Sequence, residues 1–156
     1  SGLPITCFVD ADHGYSKRNR RSTTGIVIYL GSSPICWTSK KQKSVSSSTY
    51  EAEYYALRVA TEEIVGYRFV LRSLGIQVKE STRMYTDNKS VFQSSTISKS
   101  KLKAKHSAIS YHRVREAVAA KIITVFHIDT ESNISDLLTK PLPRPRFRDL
   151  IEMAIG

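Results

Sequence analysis

The stretch CFVDAD at residues 7–12 decides the fold. Its apolar residues, together with Ile5, predict a buried strand over residues 5–12 that ends at Asp10 to Asp12. A carboxylate at the end of a core strand is costly unless something compensates its charge. For one aspartate alone, a turn residue is the ordinary interpretation. A metal ligand is the alternative, and it requires partner carboxylates elsewhere in the chain.

A long helix supplies the second acid. Ser48 with Glu51 fits a capping box and Gly75 fits a C-terminal cap, so we expect a helix that ends at about Leu74. Its apolar stripe extends back by one turn to Glu53. Glu51 lies about 200° away around the helix. Glu53 is therefore predicted to face the sheet, either as a ligand or paired with a buried Arg or Lys. The stripe comprises Leu57, Ala60, Ile64, Tyr67, Leu71 and Leu74.

The third and fourth acids come later in the chain. Residues 83–87 form a short strand that ends at Asp87, and a strand after a long helix predicts a parallel crossover that sets Asp87 beside Asp10. A helix N-cap is the alternative for Asp87. Asp136 opens a short helix predicted over residues 134–140, where the helix dipole also favours a carboxylate.

The remaining pattern gives the order of the elements. Strands over residues 5–12, 23–30 and 35–39, with a turn at 31–34, predict an antiparallel meander. The later elements alternate between helix and strand, which predicts an α/β fold with a mixed five-stranded sheet. We expect one domain over residues 1–156 with its core at 5–143. The later elements are predicted at residues 83–87, 88–92, 104–120, 122–128, 134–140 and 146–155.

The charge indicates a polyanionic partner. The chain has 24 Lys plus Arg against 14 Asp plus Glu, a net charge of +10. The basic residues cluster at 17–21, 40–43, 99–105 and 144–148, which argues against a generic basic surface. No apolar run approaches the ~20 residues of a membrane span, so we expect no membrane partner. The chain starts without Met, and we expect a domain of a longer protein.

Four carboxylates at one place would repel each other unless a cation joined them. Oxygen ligands suit Mg²⁺ or Mn²⁺ rather than Zn²⁺, and the chain has no Cys/His ligand spacing. Two such ions, about 3.5–4 Å apart, can stabilise the attacking water and the leaving oxygen of a phosphodiester. The four acids therefore predict a metal-dependent nuclease.

A series of motifs, in order along residues 5–143, resembles the ribonuclease H domain of copia-type (Pseudoviridae) LTR retrotransposons. Any one of them alone would be weak, whereas the ordered set is specific. The motifs are DAD at 10–12, RRSTTG at 20–25, WTSKKQK at 37–43, STYEAEY at 48–54, YTDNKS at 85–90, KH at 105–106 with YHR at 111–113, and DLLTKPLP at 136–143.

The resemblance implies a ribonuclease H-like fold with strand order 3-2-1-4-5 and helices on both faces. It implies a two-metal endonuclease that cuts the RNA strand of RNA/DNA hybrids during reverse transcription. Asp10, Glu53, Asp87 and Asp136 match the four acids that hold two Mg²⁺ or Mn²⁺. It also implies a place beside reverse transcriptase in a Pol polyprotein, and hence in cytoplasmic virus-like particles. The loop at residues 129–133 lacks the histidine of cellular ribonucleases H.

If the chain binds an RNA/DNA hybrid, a set of polar and basic residues could contact it. Such contacts would use 2′-hydroxyl groups, phosphates and groove shape rather than base identity. A solvated charged face is the alternative for the members on the helix near residues 104–120. The candidates are Lys40, Lys41, Lys43, Ser48, Thr49, Asn88, Ser90, Lys103, His106 and Arg113.

Two other functions compete with the nuclease. A non-catalytic or domesticated hybrid-binding module would keep the fold and the basic face, but would have no reason to keep four costly carboxylates. An integrase-type DNA nuclease would use three acids with a late glutamate, which the early Glu53 and the late Asp136 oppose. The sequence does not predict an oligomeric state.

Overall fold

The computed structural model describes residues 2–14, 18–96 and 108–156. The strands are β1 (Ile5–Asp12), β2 (Thr23–Leu30), β3 (Ser33–Lys41), β4 (Thr82–Thr86) and β5 (Ile123–His127). The helices are α1 (Thr49–Ser73), α2 (Lys89–Thr96), α3 (Ala108–Ala119) and α4 (Arg144–Ile155). Two short 3-10 turns, Thr130–Ser132 and Ile134–Leu138, connect β5 to α4.

The strands form one sheet in the order β3-β2-β1-β4-β5, which confirms the predicted order. β2 pairs antiparallel with β1 and β3, while β4 pairs parallel with β1 and β5. Phe8 of β1 lies opposite Tyr85 of β4. Asp10 and Asp87 each follow that pair by two residues, so the crossover brings the two acids to the same edge of the sheet.

Alternating side chains divide the core between the two faces of the sheet. Cys7, Val9, Ile26 and Ile28 pack with the buried residues of α1 on one face. On the other face, a smaller cluster joins β2 to the second 3-10 turn and to α4. Helices therefore cover both faces, as predicted. The smaller cluster contains Val27, Tyr29, Ile134 and Leu150.

Several predicted boundaries were wrong. β3 begins at Ser33, so Pro34 lies in the strand rather than in a turn, which an edge strand with a nearby bulge tolerates. α1 ends at Ser73 with Leu74 as its C-cap, close to the predicted end, but Leu74 is 71% exposed rather than part of the buried stripe. Asp136 lies inside a 3-10 turn instead of opening a helix. α4 begins at Arg144, earlier than predicted, because Pro145 suits a first helical turn.

Part of the helix predicted over residues 104–120 lies outside the described residues, and the described part is α3. Within the ranges that the structure describes, no helix is both long enough and apolar enough to cross a membrane.

Candidate metal centre

Three acids from separate elements converge at one edge of the sheet. Asp10 comes from β1, Glu53 from the first turns of α1, and Asp87 from the residue after β4. One carboxylate oxygen of each lies within 4.8 Å of the others. Asp10 and Glu53 are buried, with 3% and 4% of their surface exposed, so their charges face each other with little water between them.

The start of α1 determines which of its two glutamates faces the sheet. Ser48 is the N-cap, and its Oγ accepts a hydrogen bond from the Glu51 backbone N–H at 3.1 Å. The Glu51 carboxylate accepts hydrogen bonds from the backbone N–H of Ser47 at 2.7 Å and from its hydroxyl at 2.6 Å. The reciprocal half of the capping box thus reaches Ser47 rather than Ser48. Glu51 is held outside the cluster while Glu53 points into it.

Gln42 connects β2 to α1 beside Glu53. Its Nε2 donates to Thr24 Oγ1 at 3.1 Å and to the Ala52 carbonyl at 2.9 Å. Its Oε1 accepts from the Ser46 hydroxyl at 3.0 Å. Gln42 is 2% exposed, so all of these bonds are shielded from water. The network fixes the helix turn that carries Glu53.

Asp136 lies next to the cluster but has its own partners. Arg146 Nη2 donates to Asp136 Oδ2 at 2.7 Å, and Lys140 Nζ lies 3.2 Å from Oδ1. Asp10 and Asp136 also shift the pKa of each other's carboxyl group, so the two side chains lie close together. The structure therefore brings Asp10, Glu53 and Asp87 within direct reach of one another, while Asp136 lies beside Asp10 and pairs with two cations.

Other side chains orient the acids. The Thr139 hydroxyl donates to Asp10 Oδ2 at 2.7 Å. Asn133 is fully buried, and its Nδ2 donates to the Val9 carbonyl at 3.0 Å, directly before Asp10. Gly25 faces the turn that carries Asp136, where an added Cβ would lie 2.7 Å from Thr139 Cγ2. A side chain at position 25 would thus push the turn away from the sheet.

Burial and mutual charge shift the pKa values of the acids. Burial, the hydrogen bond to Asp136 and the charge of Asp87 raise the pKa of Asp10 to about 7. Burial and the charges of Asp10 and Asp87 raise the pKa of Glu53 well above its usual range. Burial and the charge of Asp136 also raise the pKa of Asp87. Without a cation, the cluster holds protons that ordinary carboxyl groups would lose at neutral pH.

Asp136 shifts in the opposite direction. Burial alone would raise its pKa, but hydrogen bonds from Asp10 and Arg146 and the charge of Lys140 lower it. Asp136 is therefore the acid of the group that keeps its negative charge most readily, because neighbouring cations already compensate it.

The donor set fits a hard divalent cation. Glu53 Oε2 is buried and has no hydrogen-bond partner among the described residues, which leaves a carboxylate oxygen free to bind an ion. Oxygen-only ligands are those that Mg²⁺ and Mn²⁺ prefer. An ion would relieve both the unpaired oxygen and the repulsion between Asp10, Glu53 and Asp87.

The predicted nucleic-acid contacts are less closely grouped. Lys40 and Lys41 are exposed and pair with Thr24 and Thr23, at the end of the sheet where β1 carries its acids. Lys43 is also exposed. Thr49 is exposed at the start of α1, where Ser48 serves as the cap.

The other candidates have local roles or lie elsewhere. Asn88 caps α2 by accepting from the Val91 backbone N–H at 3.0 Å, and Ser90 is partly buried. Arg113 on α3 pairs with Glu116 at 3.6 Å. Lys103 and His106 lie outside the described residues.

Sequence reasoning missed the side chains that orient the acids. Thr139 and Lys140 belong to the motif at residues 136–143, which gave no indication of what they contact. Gln42 likewise sits inside a quoted motif. No sequence pattern predicted the contacts of Asn133 and Arg146. Asn133 donates to β1 and Arg146 to Asp136, and both contacts depend on the folded path of the chain.

No protein-family model matches the chain. Curated relatives do. The retrovirus-related Pol polyprotein from transposon RE1 of Arabidopsis thaliana is 35% identical over 147 residues, which is 94% of this chain and 10% of that protein. The corresponding protein from transposon TNT 1-94 of Nicotiana tabacum is 36% identical over 149 residues, which is 96% of this chain and 11% of that protein. The chain thus spans about a tenth of the length of these relatives.

Solved structures share the fold. An N-terminal RNase H domain from Mycobacterium tuberculosis matches with a TM-score of 0.65 and 14% identity, covering 97% of this chain and 99% of that one. LC11-RNase H1, solved in complex with an RNA/DNA hybrid, matches with a TM-score of 0.67 and 16% identity, covering 86% and 93%. At such low identity these likenesses establish the ribonuclease H fold alone.

Proposed function

Because the chain belongs to the copia-type retrotransposon Pol polyproteins and has the ribonuclease H fold, we propose that it hydrolyses the RNA strand of RNA/DNA hybrids. The observation that carries the proposal is the convergence of three acids within 4.8 Å, one of them with an unpaired buried oxygen. A fold needs no such cluster for stability, since buried like charges destabilise it. The cluster is best explained by a cation that takes part in chemistry.

The metal ligands in this proposal are Asp10, Glu53, Asp87 and Asp136, which would hold two Mg²⁺ or Mn²⁺. Such ions supply Lewis-acid stabilisation of the charge that develops during phosphodiester hydrolysis. The protein itself contributes orientation. Thr139 fixes one oxygen of Asp10, and the network around Gln42 fixes the turn that carries Glu53. No side-chain nucleophile is required.

The substrate class follows from charge and from the structural neighbours. The net charge of +10 favours a polyanion, and exposed Lys40 and Lys41 lie at the acid-bearing end of the sheet. LC11-RNase H1 and a foamy viral protease-reverse transcriptase were both solved with RNA/DNA hybrid. In this proposal the lysines neutralise phosphates and thus position a hybrid across the acids.

The relatives are Pol polyproteins, so reverse transcriptase of the same polyprotein is the proposed partner. The hybrid made during reverse transcription would then be the natural substrate, inside cytoplasmic virus-like particles. A single domain over residues 1–156 stays a prediction as well.

Cleavage of a labelled RNA/DNA hybrid in Mg²⁺ or Mn²⁺ tests the proposal. Glu53→Gln should lower the rate at least about 100-fold, since metal stabilisation contributes several kcal/mol and each 1.36 kcal/mol is tenfold. Glu51→Gln is the matched control, because it makes the same change two residues away on a side chain that faces Ser47. The control should cleave nearly as fast as wild type.

Equal cleavage by wild type and Glu53→Gln would reject the assignment. Hybrid binding without cleavage in either metal would instead support the non-catalytic binding module. Preference for double-stranded DNA would support an integrase-type nuclease. Circular dichroism of each variant verifies that the fold is retained.

A further inference from the structure

Two cations share the carboxylate of Asp136, and they are held in different ways. Arg146 Nη2 donates to Asp136 Oδ2 at 2.7 Å and to the Thr130 carbonyl at 2.7 Å. The guanidinium therefore joins α4, the first 3-10 turn and the acid. Lys140 Nζ lies 3.2 Å from Asp136 Oδ1, a longer ion pair than the one that Arg146 makes with Oδ2 at 2.7 Å. Arg146 therefore holds the acid more closely than Lys140 does.

The chemistry of the two side chains suits different roles. Arginine presents a rigid planar fork, whereas lysine is a point charge on a flexible stem. The Asp136 side chain is 1% exposed, while those of Lys140 and Arg146 are 35% and 27% exposed. Lys140 can thus swing into solvent at little cost. Arg146 can leave only by breaking two short hydrogen bonds.

Lys140 also lies near Asp10, Asp87 and Asp136. Burial lowers its pKa, but the charges of Asp10, Asp136 and Asp87 outweigh burial and raise the pKa of Lys140. Its ammonium group thus lies in the field of the acids that a metal ion would neutralise, and it would compete with that ion for Asp136 Oδ1.

We propose that Arg146 is a positioning residue that keeps Asp136 oriented, and that Lys140 is an exchangeable counterion that a divalent ion displaces from Asp136 Oδ1. The inference rests on the proposed metal site and adds two residues to it. Arg146 stays bound to Oδ2 in both states. Lys140 compensates the acid in the metal-free chain and moves away when the ion binds.

If Lys140 and Arg146 acted on a metal ion only through their positive charge, the two residues would have the same effect on its binding. Any cation close to a metal site repels the metal ion, so loss of either Lys140 or Arg146 would then strengthen metal binding. Under our proposal the two substitutions act in opposite directions. Loss of Lys140 removes a competitor, whereas loss of Arg146 leaves a ligand without its orienting partner.

The experiment is calorimetric titration of the whole chain with Mn²⁺ in the absence of nucleic acid. Lys140→Met should bind Mn²⁺ at least about fivefold more tightly, the effect of one charge at about 4 Å under water-like screening. Arg146→Met should bind it about tenfold more weakly, as is usual when an outer partner of a ligand is lost. Lys79→Met and exposed Arg148→Met, which make the same changes elsewhere, should match wild type.

Unchanged or weaker Mn²⁺ binding by Lys140→Met would overturn the counterion role. Tighter binding by Arg146→Met would overturn the positioning role. If Arg146→Met does not fold, Arg146→Lys tests the positioning role instead. This variant keeps the charge but lacks the planar guanidinium, so it should still bind Mn²⁺ more weakly than wild type. A wild-type chain that takes up no Mn²⁺ would overturn the metal site and the inference together. A wild type that binds while all variants bind alike would overturn the inference only.

Discussion

Replacement of Asp10 by Asn should stabilise the metal-free chain while it removes a proposed metal ligand. Asp10 is 3% exposed and lies beside two other acids. An asparagine has nearly the same shape, can still accept the hydrogen bond from Thr139, and can donate to Asp136. The substitution thus removes a buried charge and leaves the polar contacts satisfied.

The magnitude follows from the shift of the Asp10 pKa from 3.8 to about 7. Between these pH values the folded chain holds a proton that the unfolded chain has lost, so the free energy of unfolding decreases as pH rises. Each unit corresponds to about 1.4 kcal/mol, which gives a ceiling of about 4 kcal/mol above pH 7. Glu53 and Asp87 act in the same direction. Asp136 acts oppositely, because its lowered pKa contributes stability that is lost only as pH falls.

Urea unfolding at pH 5 and pH 8, with EDTA and with Mg²⁺, measures the effect. We expect Asp10→Asn to gain roughly 2–4 kcal/mol over wild type at pH 8 in EDTA, and much less at pH 5. Mg²⁺ should stabilise wild type more than the variant, since binding to the folded state adds stability. Asp149→Asn, on exposed α4 surface, is the control and should change little. A wild type whose stability is flat from pH 4 to 7, or a destabilised variant at pH 8, would refute the reasoning.

Three further predictions concern the substrate and the scaffold. Lys41→Ala should lower the salt dependence of hybrid binding, measured by fluorescence anisotropy, by about one unit of slope, and an unchanged slope excludes a phosphate contact. Gly25→Ala should lower the free energy of urea unfolding by about 2 kcal/mol, because its Cβ would lie 2.7 Å from Thr139 Cγ2. In Gly66→Ala the added Cβ meets nothing within 4 Å, so this variant should raise the free energy of unfolding by up to about 1 kcal/mol. Asn133→Ala should cost about 1–3 kcal/mol by the same assay, since it leaves a buried β1 carbonyl unpaired, and a smaller loss would mean that water replaces the amide.

The sheet could be predicted from the sequence because its strands and their pairing follow from patterns within short stretches of the chain. Alternating apolar residues in β1 and β2 define two faces, and short connections leave few ways to pair the first three strands. The start of β3 could not be predicted, since Pro34 is a turn residue by preference and lies in the strand only because that strand is at the edge. Leu74 continued the stripe of α1 in sequence, but the helix had already ended.

The convergence of Asp10, Glu53 and Asp87 could be predicted for the same reason, whereas the side chains that contact these acids could not. Helix periodicity separates Glu53 from Glu51 without knowledge of any other element. The pairing of Arg146 with Asp136 depends on how the 3-10 turns and residues 139–143 direct α4 back toward the sheet. No periodicity in the sequence encodes that path. Local sequence patterns thus predict which acids face the sheet, whereas the orientation of these acids depends on tertiary contacts.

The side chains that fix the backbone beside Glu53 and Asp10 are neutral amides rather than charged groups. Gln42 donates to the carbonyl that precedes Glu53, and Asn133 donates to the carbonyl that precedes Asp10. A lysine or arginine at either position could also have reached a carbonyl, but it would have neutralised the acids. Amides fix the backbone beside each acid and leave its negative charge uncompensated. Among the four acids of the site, Asp136 alone forms ion pairs with the described residues. The negative charge of Asp10, Glu53 and Asp87 is therefore left to be neutralised by protons or by a divalent ion.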